Sequence, residues 1–163
     1  MRSAVLVKSA LQFLDIMIVA LIAGSVFGIW RGYDPSGFSA ASFLEIHQGA
    51  VRGLNTLLPV MGATAILLTA MLAWKALGRP LSLFFYLLAI VAMIISALVT
   101  RFGNQPINAI VMGWTSTTMP TGWEDLRDVW WHWHLIRVGT TIAALALLVA
   151  GTLWEGASRS LPS

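Results

Sequence analysis

Cysteine is absent from this chain. That excludes disulfides, thiolate metal sites and cysteine nucleophiles, and leaves the redox compartment open. Charge is scarce: only 10% of residues are charged, where soluble domains carry roughly 25%. No Gly-rich phosphate loop, nucleophile elbow, zinc-protease signature or haem-attachment motif occurs. The net charge is +3 and the pI about 10.0. Yet the basic residues stand singly at segment ends, without the cluster or stripe that nucleic acid requires. Nucleic acid is therefore not an expected partner.

What is present is apolar. Hydrophobic residues make up 58% of the chain and the mean hydropathy is +0.80. A soluble core built from 163 residues could not hide so much apolar surface. The class is integral membrane and the lipid bilayer the first partner. Four segments, roughly 10–30, 54–74, 81–100 and 136–154, are long enough to cross the hydrocarbon core, which needs about 20 apolar residues. Each should be helical, because lipid offers backbone groups no other partner. The N-terminal run resembles a signal peptide, but Asp15 interrupts it and it continues through Val26, Phe27, Ile29 and Trp30. A retained first span is expected.

The connections are unequal. Gly78 and Pro80 mark a tight turn between spans two and three. Residues 31–53 and 101–135 form two long connections that must share the other side. Ser42 and Glu45 match a capping box that starts a helix running into span two, and Pro59 should kink that helix rather than end it. Residues 123–155 contain no proline and only two glycines, Gly139 and Gly151. They predict one helix near 50 Å long at about 1.5 Å per residue, more than the core requires. The expected fold is all-α: a four-helix bundle in the membrane, a single domain over 1–163, with two structured connections on one side. Arg2, Lys8, Lys75, Arg79 and Arg159 flank the turn side; Arg31, Arg52, Arg101, Arg127 and Arg137 flank the other. The count ties, but both Lys lie on the turn side, which favours cytoplasmic termini. Asp15 lies near the turn side, with Lys75 or Arg79 as a plausible partner.

The stretch 100–137 stands out. It holds five of the eight Trp and two of the three His, with Arg101, Asn104, Asn108, Arg127 and Arg137. At about 100° per residue, Trp123, Arg127, Trp130, His134, Arg137 and Thr141 fall on one stripe. Such a stripe would be costly to point at lipid; it should face the bundle or a wet cavity. An aromatic belt with interfacial Arg anchors is the bland alternative. His132 falls on the opposite face, so His132 and His134 cannot ligate one metal. His47 lies on an otherwise apolar face leading into span two, where a packed core histidine is the plain reading. With His134 and a carboxylate it could hold iron or copper, although Glu45 is turned away from it. No metal set is assigned and the cofactor is unknown. Asn104 and Asn108 offer amide donors of the kind that stabilise oxyanions; Asn104 capping a short helix is the alternative.

The pattern Thr100-Arg101, then Asn104, Pro106 and Asn108, then Trp123, Trp130, His134 and Arg137 with Gly139 and Thr140 resembles the anthrone oxygenase-like family of small four-span membrane proteins. His47 stands where that family often has a His. Gln105 replaces a usually apolar residue, and His134 occupies a position that is often Asn. The resemblance implies oxidation of polyketide anthrones by dioxygen without a conventional organic cofactor. An anthrone carries an acidified benzylic C–H; a base removes the proton, donors hold the enolate, and the anion reacts with dioxygen. A His suits the base, Asn and Arg the donors, and Trp the flat walls.

The expectation is an oxygenase-like membrane protein acting on a small aromatic or lipophilic substrate. His47 or His134 is the base. Asn104, Asn108 and Arg137 stabilise the oxyanion, and Trp114, Trp123, Trp130 and Arg101 contact substrate. Rival readings are a non-catalytic lipid-, quinone- or partner-binding protein, a metal-dependent membrane oxidoreductase, and a small oligomeric transporter that would need Asp15. A homo-oligomer is left open.

Overall fold

The computed structural model describes residues 2–160. All regular structure among them is helical. Helix α1 (Arg2–Gly32) leads through a 3-10 turn at Pro35–Gly37 to α2 (Ala40–Leu54) and α3 (Leu57–Lys75). Helix α4 (Pro80–Leu98) continues through a π-helical turn (Val99–Asn104) into α5 (Gln105–Met112), and α6 (Trp123–Ser160) closes the chain. Four stretches, Val5–Gly37, Ala40–Lys75, Pro80–Met112 and Trp123–Ala157, are long and apolar enough to cross a membrane. The expected integral membrane four-helix bundle is what the chain forms.

Helices α1, α3, α4 and α6 form the square of the bundle, each packed on the two beside it. The run is up-down-up-down, with one tight turn and two long connections. Small residues let the backbones approach: Ala65, Ala73, Ala76, Ala89 and Ala144 are buried with Leu72, Tyr86 and Leu148 in the central cluster. Without a hydrophobic force between helices in lipid, such close packing is what holds them. Gly151 shows how tight α4 and α6 lie, since a Cβ there would come within 3.1 Å of Phe85 and Tyr86. Leu21, Leu67, Ile94 and Leu153 point outward, as lipid-facing residues do.

The turn side ends in a tight hairpin. Gly78 adopts φ 88°, a region open to glycine at no steric cost, and Pro80 starts α4. Here a buried charge cluster ties three elements together. Glu155 of α6 accepts hydrogen bonds from Lys8 of α1 and from Arg79 of the hairpin turn. Its second oxygen takes Gln12 at 3.1 Å and the Tyr86 hydroxyl at 3.3 Å. Asp15 does not meet Lys75 or Arg79. It is fully buried, and Thr69 of α3 donates to it at 2.7 Å, because Arg79 turns to Glu155. The side chains of Arg2 and Arg159, which entered the charge count, lie outside the described residues.

Two details at the other end differ from expectation. The cap of α2 is Ser39, not Ser42: the Ser39 hydroxyl accepts from the Ser42 N–H at 3.3 Å, and the helix starts at Ala40. The path from α2 to α3 is broken at Asn55–Thr56 rather than kinked at Pro59. Proline has no N–H for the carbonyl four residues earlier, and its ring crowds that carbonyl. That residue is Asn55, so the interruption falls there.

Candidate functional site

In the half of the bundle nearer the long connections lies a cavity of about 200 Å³. Most of its wall is aliphatic, including Val19, Val26 and Ile29 of α1, Ala65 and Ile66 of α3, Met93 of α4 and Ala144 of α6. A polar arc interrupts that wall: His47, Asn55, Arg101, Gln105, Asn108 and Arg137, with the hydroxyls of Ser96, Thr100 and Thr141. An apolar pocket with a few convergent polar groups is the usual form of a small-molecule site.

Asn108 organises one side of the arc. The indole N–H of Trp130 donates to Asn108 Oδ1 at 2.8 Å. An indole can only donate, so the atom facing it is the oxygen, and the Asn108 amide nitrogen turns to Asn55 Oδ1 at 2.9 Å. His47 Nε2 lies 3.2 Å from the same Asn108 oxygen. An acceptor there requires Nε2 to carry the proton. In the neutral ring Nδ1 is then the lone pair, and no hydrogen bond within the described residues occupies it. Packing fixes the ring as well, with Phe43 and Trp130 centroids at 5.0 and 4.8 Å.

Arg137 organises the other side. Its Nη2 donates to His134 Nδ1 at 2.7 Å. A guanidinium has no lone pair to offer, so Nδ1 is the acceptor, and His134 Nε2–H donates to the Val26 carbonyl at 3.2 Å. His134 is thus neutral with both nitrogens occupied, and Trp130 stacks on it at 5.2 Å and 3°. Arg137 itself has no carboxylate partner among the described residues, and its Nε is buried without a hydrogen bond. A cation at membrane depth costs about 2.5–3.5 kcal/mol on insertion scales. Here that cost is borne by a group lining a cavity.

The nominated residues therefore separate. His47, Asn108, Arg137, Trp130 and Arg101 line the one cavity. His134 and Asn104 are fully buried but absent from its lining. Asn104 donates to the Trp130 carbonyl at 3.0 Å and makes no helix-cap bond, so it ties the π-helical turn to α6. Trp114 and Trp123 belong to an aromatic lid over this end, with Phe43, Tyr33 and Trp130. Trp123 stacks on Phe43 at 4.9 Å, and the backbone oxygen of Trp114 accepts from Gln48. His132 is exposed, as the wheel places it. Among the described residues no three His, Asp or Glu side chains gather.

Sequence reasoning did not nominate Asn55, Tyr33 or Gln105. The signal for Asn55 was Pro59, four residues on, which has no N–H to give the Asn55 carbonyl, and the helix breaks there beside the site. Tyr33 lines the cavity and its hydroxyl is buried without a partner; nothing in its spacing distinguishes it from a belt aromatic.

The sequence pattern of the anthrone oxygenase family matches residues 48–147. That stretch holds every polar lining residue named above except Tyr33 and His47, the latter immediately preceding it. No curated protein and no solved structure matches the chain. With the family pattern covering more than half of its length, this four-helix membrane protein belongs to the anthrone oxygenase family and is an oxygenase-like protein of the membrane.

Proposed function

We propose that the cavity is an oxygenase site for a flat, lipophilic carbon acid of the anthrone type, with His47 as the base. The observation that carries this is the pairing of a free imidazole lone pair on His47 with an uncompensated Arg137 on the wall of one apolar cavity. His47 Nδ1 takes the acidified C–H proton. The negative charge moves to the carbonyl oxygen, which Arg137 and the amide side of the arc stabilise. The carbanion carbon transfers an electron to dioxygen, and recombination forms a C–O bond to a hydroperoxide that recovers the proton from His47. Loss of water then leaves the ketone, so one CH₂ and one O₂ become one C=O and one H₂O. His134 holds Arg137 and Asn104 holds α6, so both act as positioning residues. Arg101, at the edge of the cavity, meets the substrate's polar rim.

The reading is tested with purified protein in lipid nanodiscs, given a synthetic anthrone and followed by oxygen electrode and by absorbance of the anthraquinone. Wild-type protein should consume oxygen in step with product. His47→Ala should lose about 10²–10⁴-fold, the usual worth of a general base. A protein that binds the anthrone yet consumes no oxygen would support a binding role instead. In this reading the termini lie in the cytoplasm and the cavity near the opposite face. Thr117→Cys, in the exposed loop before α6, should then react with an impermeant maleimide added outside intact cells.

A further inference from the structure

We infer that the cavity opens sideways into the hydrocarbon layer, through the seam between α3 and α4, so that its ligand arrives dissolved in the membrane. This rests on the cavity being the site of the proposed chemistry and names how its substrate must travel. Helices α3 and α4 are held together by the tight turn at one end, while toward the other end small residues face the space between them. Pro59 and Ala63 on α3 and Ala97 on α4 line the cavity and are also exposed. Gly62 lines it too, and a Cβ added there would meet nothing within 4 Å. Small residues that face a neighbouring helix normally bring the backbones together. Here they leave a gap.

The surroundings of the gap say what lies outside it. Val60 is 59% exposed and Phe102 73%, and Leu98 is exposed by half. These are large apolar side chains on both banks of the seam, which suit acyl chains and not water. Arg101 is exposed and also lines the cavity. It stands at the upper rim, where an arginine can reach the headgroup layer while its stem stays apolar. The opening therefore presents an apolar mouth with one cation at its top edge. That fits a flat, mostly apolar molecule with an oxygen at one end.

The absence of cysteine makes the test direct. Ala144→Cys puts a thiol on the cavity wall at a fully buried position of α6. The protein in phosphatidylcholine vesicles is treated with N-phenylmaleimide, which partitions into the bilayer. A parallel sample receives a trimethylammonium methanethiosulfonate, which stays in water, on both sides. N-phenylmaleimide should label Ala144→Cys, the charged reagent should not, and adding Gly62→Trp should abolish the labelling. If Gly62→Trp fails to fold, Ala97→Phe fills the same seam. Labelling by the charged reagent at an equal rate would overturn the inference, since access would then be from water. So would labelling that survives both plugs. Failure of both reagents would overturn it too, because the seam is then closed or covered by a second copy. None of these readings needs turnover: an inactive protein that labels as expected removes the oxygenase reading and leaves the portal standing.

Discussion

Trp130 donates its indole N–H to Asn108 Oδ1 at 2.8 Å, and so decides which way the Asn108 amide faces His47. Trp130→Phe keeps a flat ring but removes that bond. The amide is then free to flip, and a flipped amide presents N–H to His47 Nε2. The imidazole proton would move to Nδ1, and the lone pair would leave the position assigned to the base. Oxygen consumption should fall by about 10²-fold, toward that of His47→Ala, with KM changed little. Thermal stability should change by only about 1 kcal/mol, the net worth of one hydrogen bond. Unchanged turnover would show that the tautomer is set elsewhere.

His134 offers a contrast between acceptor and shape. His134→Asn retains a carbonyl oxygen that can receive Arg137. His134→Phe fills the space and offers no acceptor, leaving Arg137 Nη2 buried and unpaired. The Phe variant should be less stable by about 1–3 kcal/mol and should bind substrate more weakly; the Asn variant should stay close to wild type in both. Melting curves and KM values for the two proteins decide it.

The π-helical turn makes its closest approach at Gly103. A Cβ there would lie 2.5 Å from Trp133 Cγ and 2.6 Å from Cδ2. Gly103→Ala should therefore cost about 1–3 kcal/mol, the range for overpacking, and should pull Asn104 off the Trp130 carbonyl. Gly139→Ala, where a Cβ meets nothing within 4 Å, should be neutral or slightly stabilising. Paired thermal melts compare them directly.

Asp15 separates the oxygenase from a proton-coupled transporter. Its carboxylate accepts from Thr69, and an Asn oxygen can do the same. Asp15→Asn should leave oxygenase activity within about twofold and stability within about 1 kcal/mol. Loss of activity in a folded Asp15→Asn protein, measured by oxygen electrode, would assign that carboxyl to the chemistry.

Helix periodicity went furthest where the chain is regular. On α6 it separated buried His134 from exposed His132 and put Trp130 and Arg137 on the same side. It could not separate Asn104 from Asn108, which are four residues apart and look equivalent on a helix. The π-helical turn ends at Asn104, a backbone irregularity that no side-chain spacing announces. As a result Asn108 meets the cavity and Asn104 the back of α6. Asn55 was hidden for a related reason, since a continuous helix was expected through the break. Glu155 went unnoticed because it lies just past the expected end of the last span, where a charge looks ordinary. Only the fold brings Lys8 and Arg79 to it from distant parts of the chain.

The cluster at Glu155 pins the first helix, the hairpin turn and the last helix to a single carboxylate. A bundle fastened in this way has its joint on the turn side, and any tilt of a helix there is magnified toward the other end. Helix α3 has 19 residues, and at ~1.5 Å each a tilt of about 5° at the pinned end displaces the far end by about 2.5 Å. That is a large fraction of the thickness of an aromatic ring. Charges at one end of the bundle thus bear on the helix spacing at the other by simple leverage.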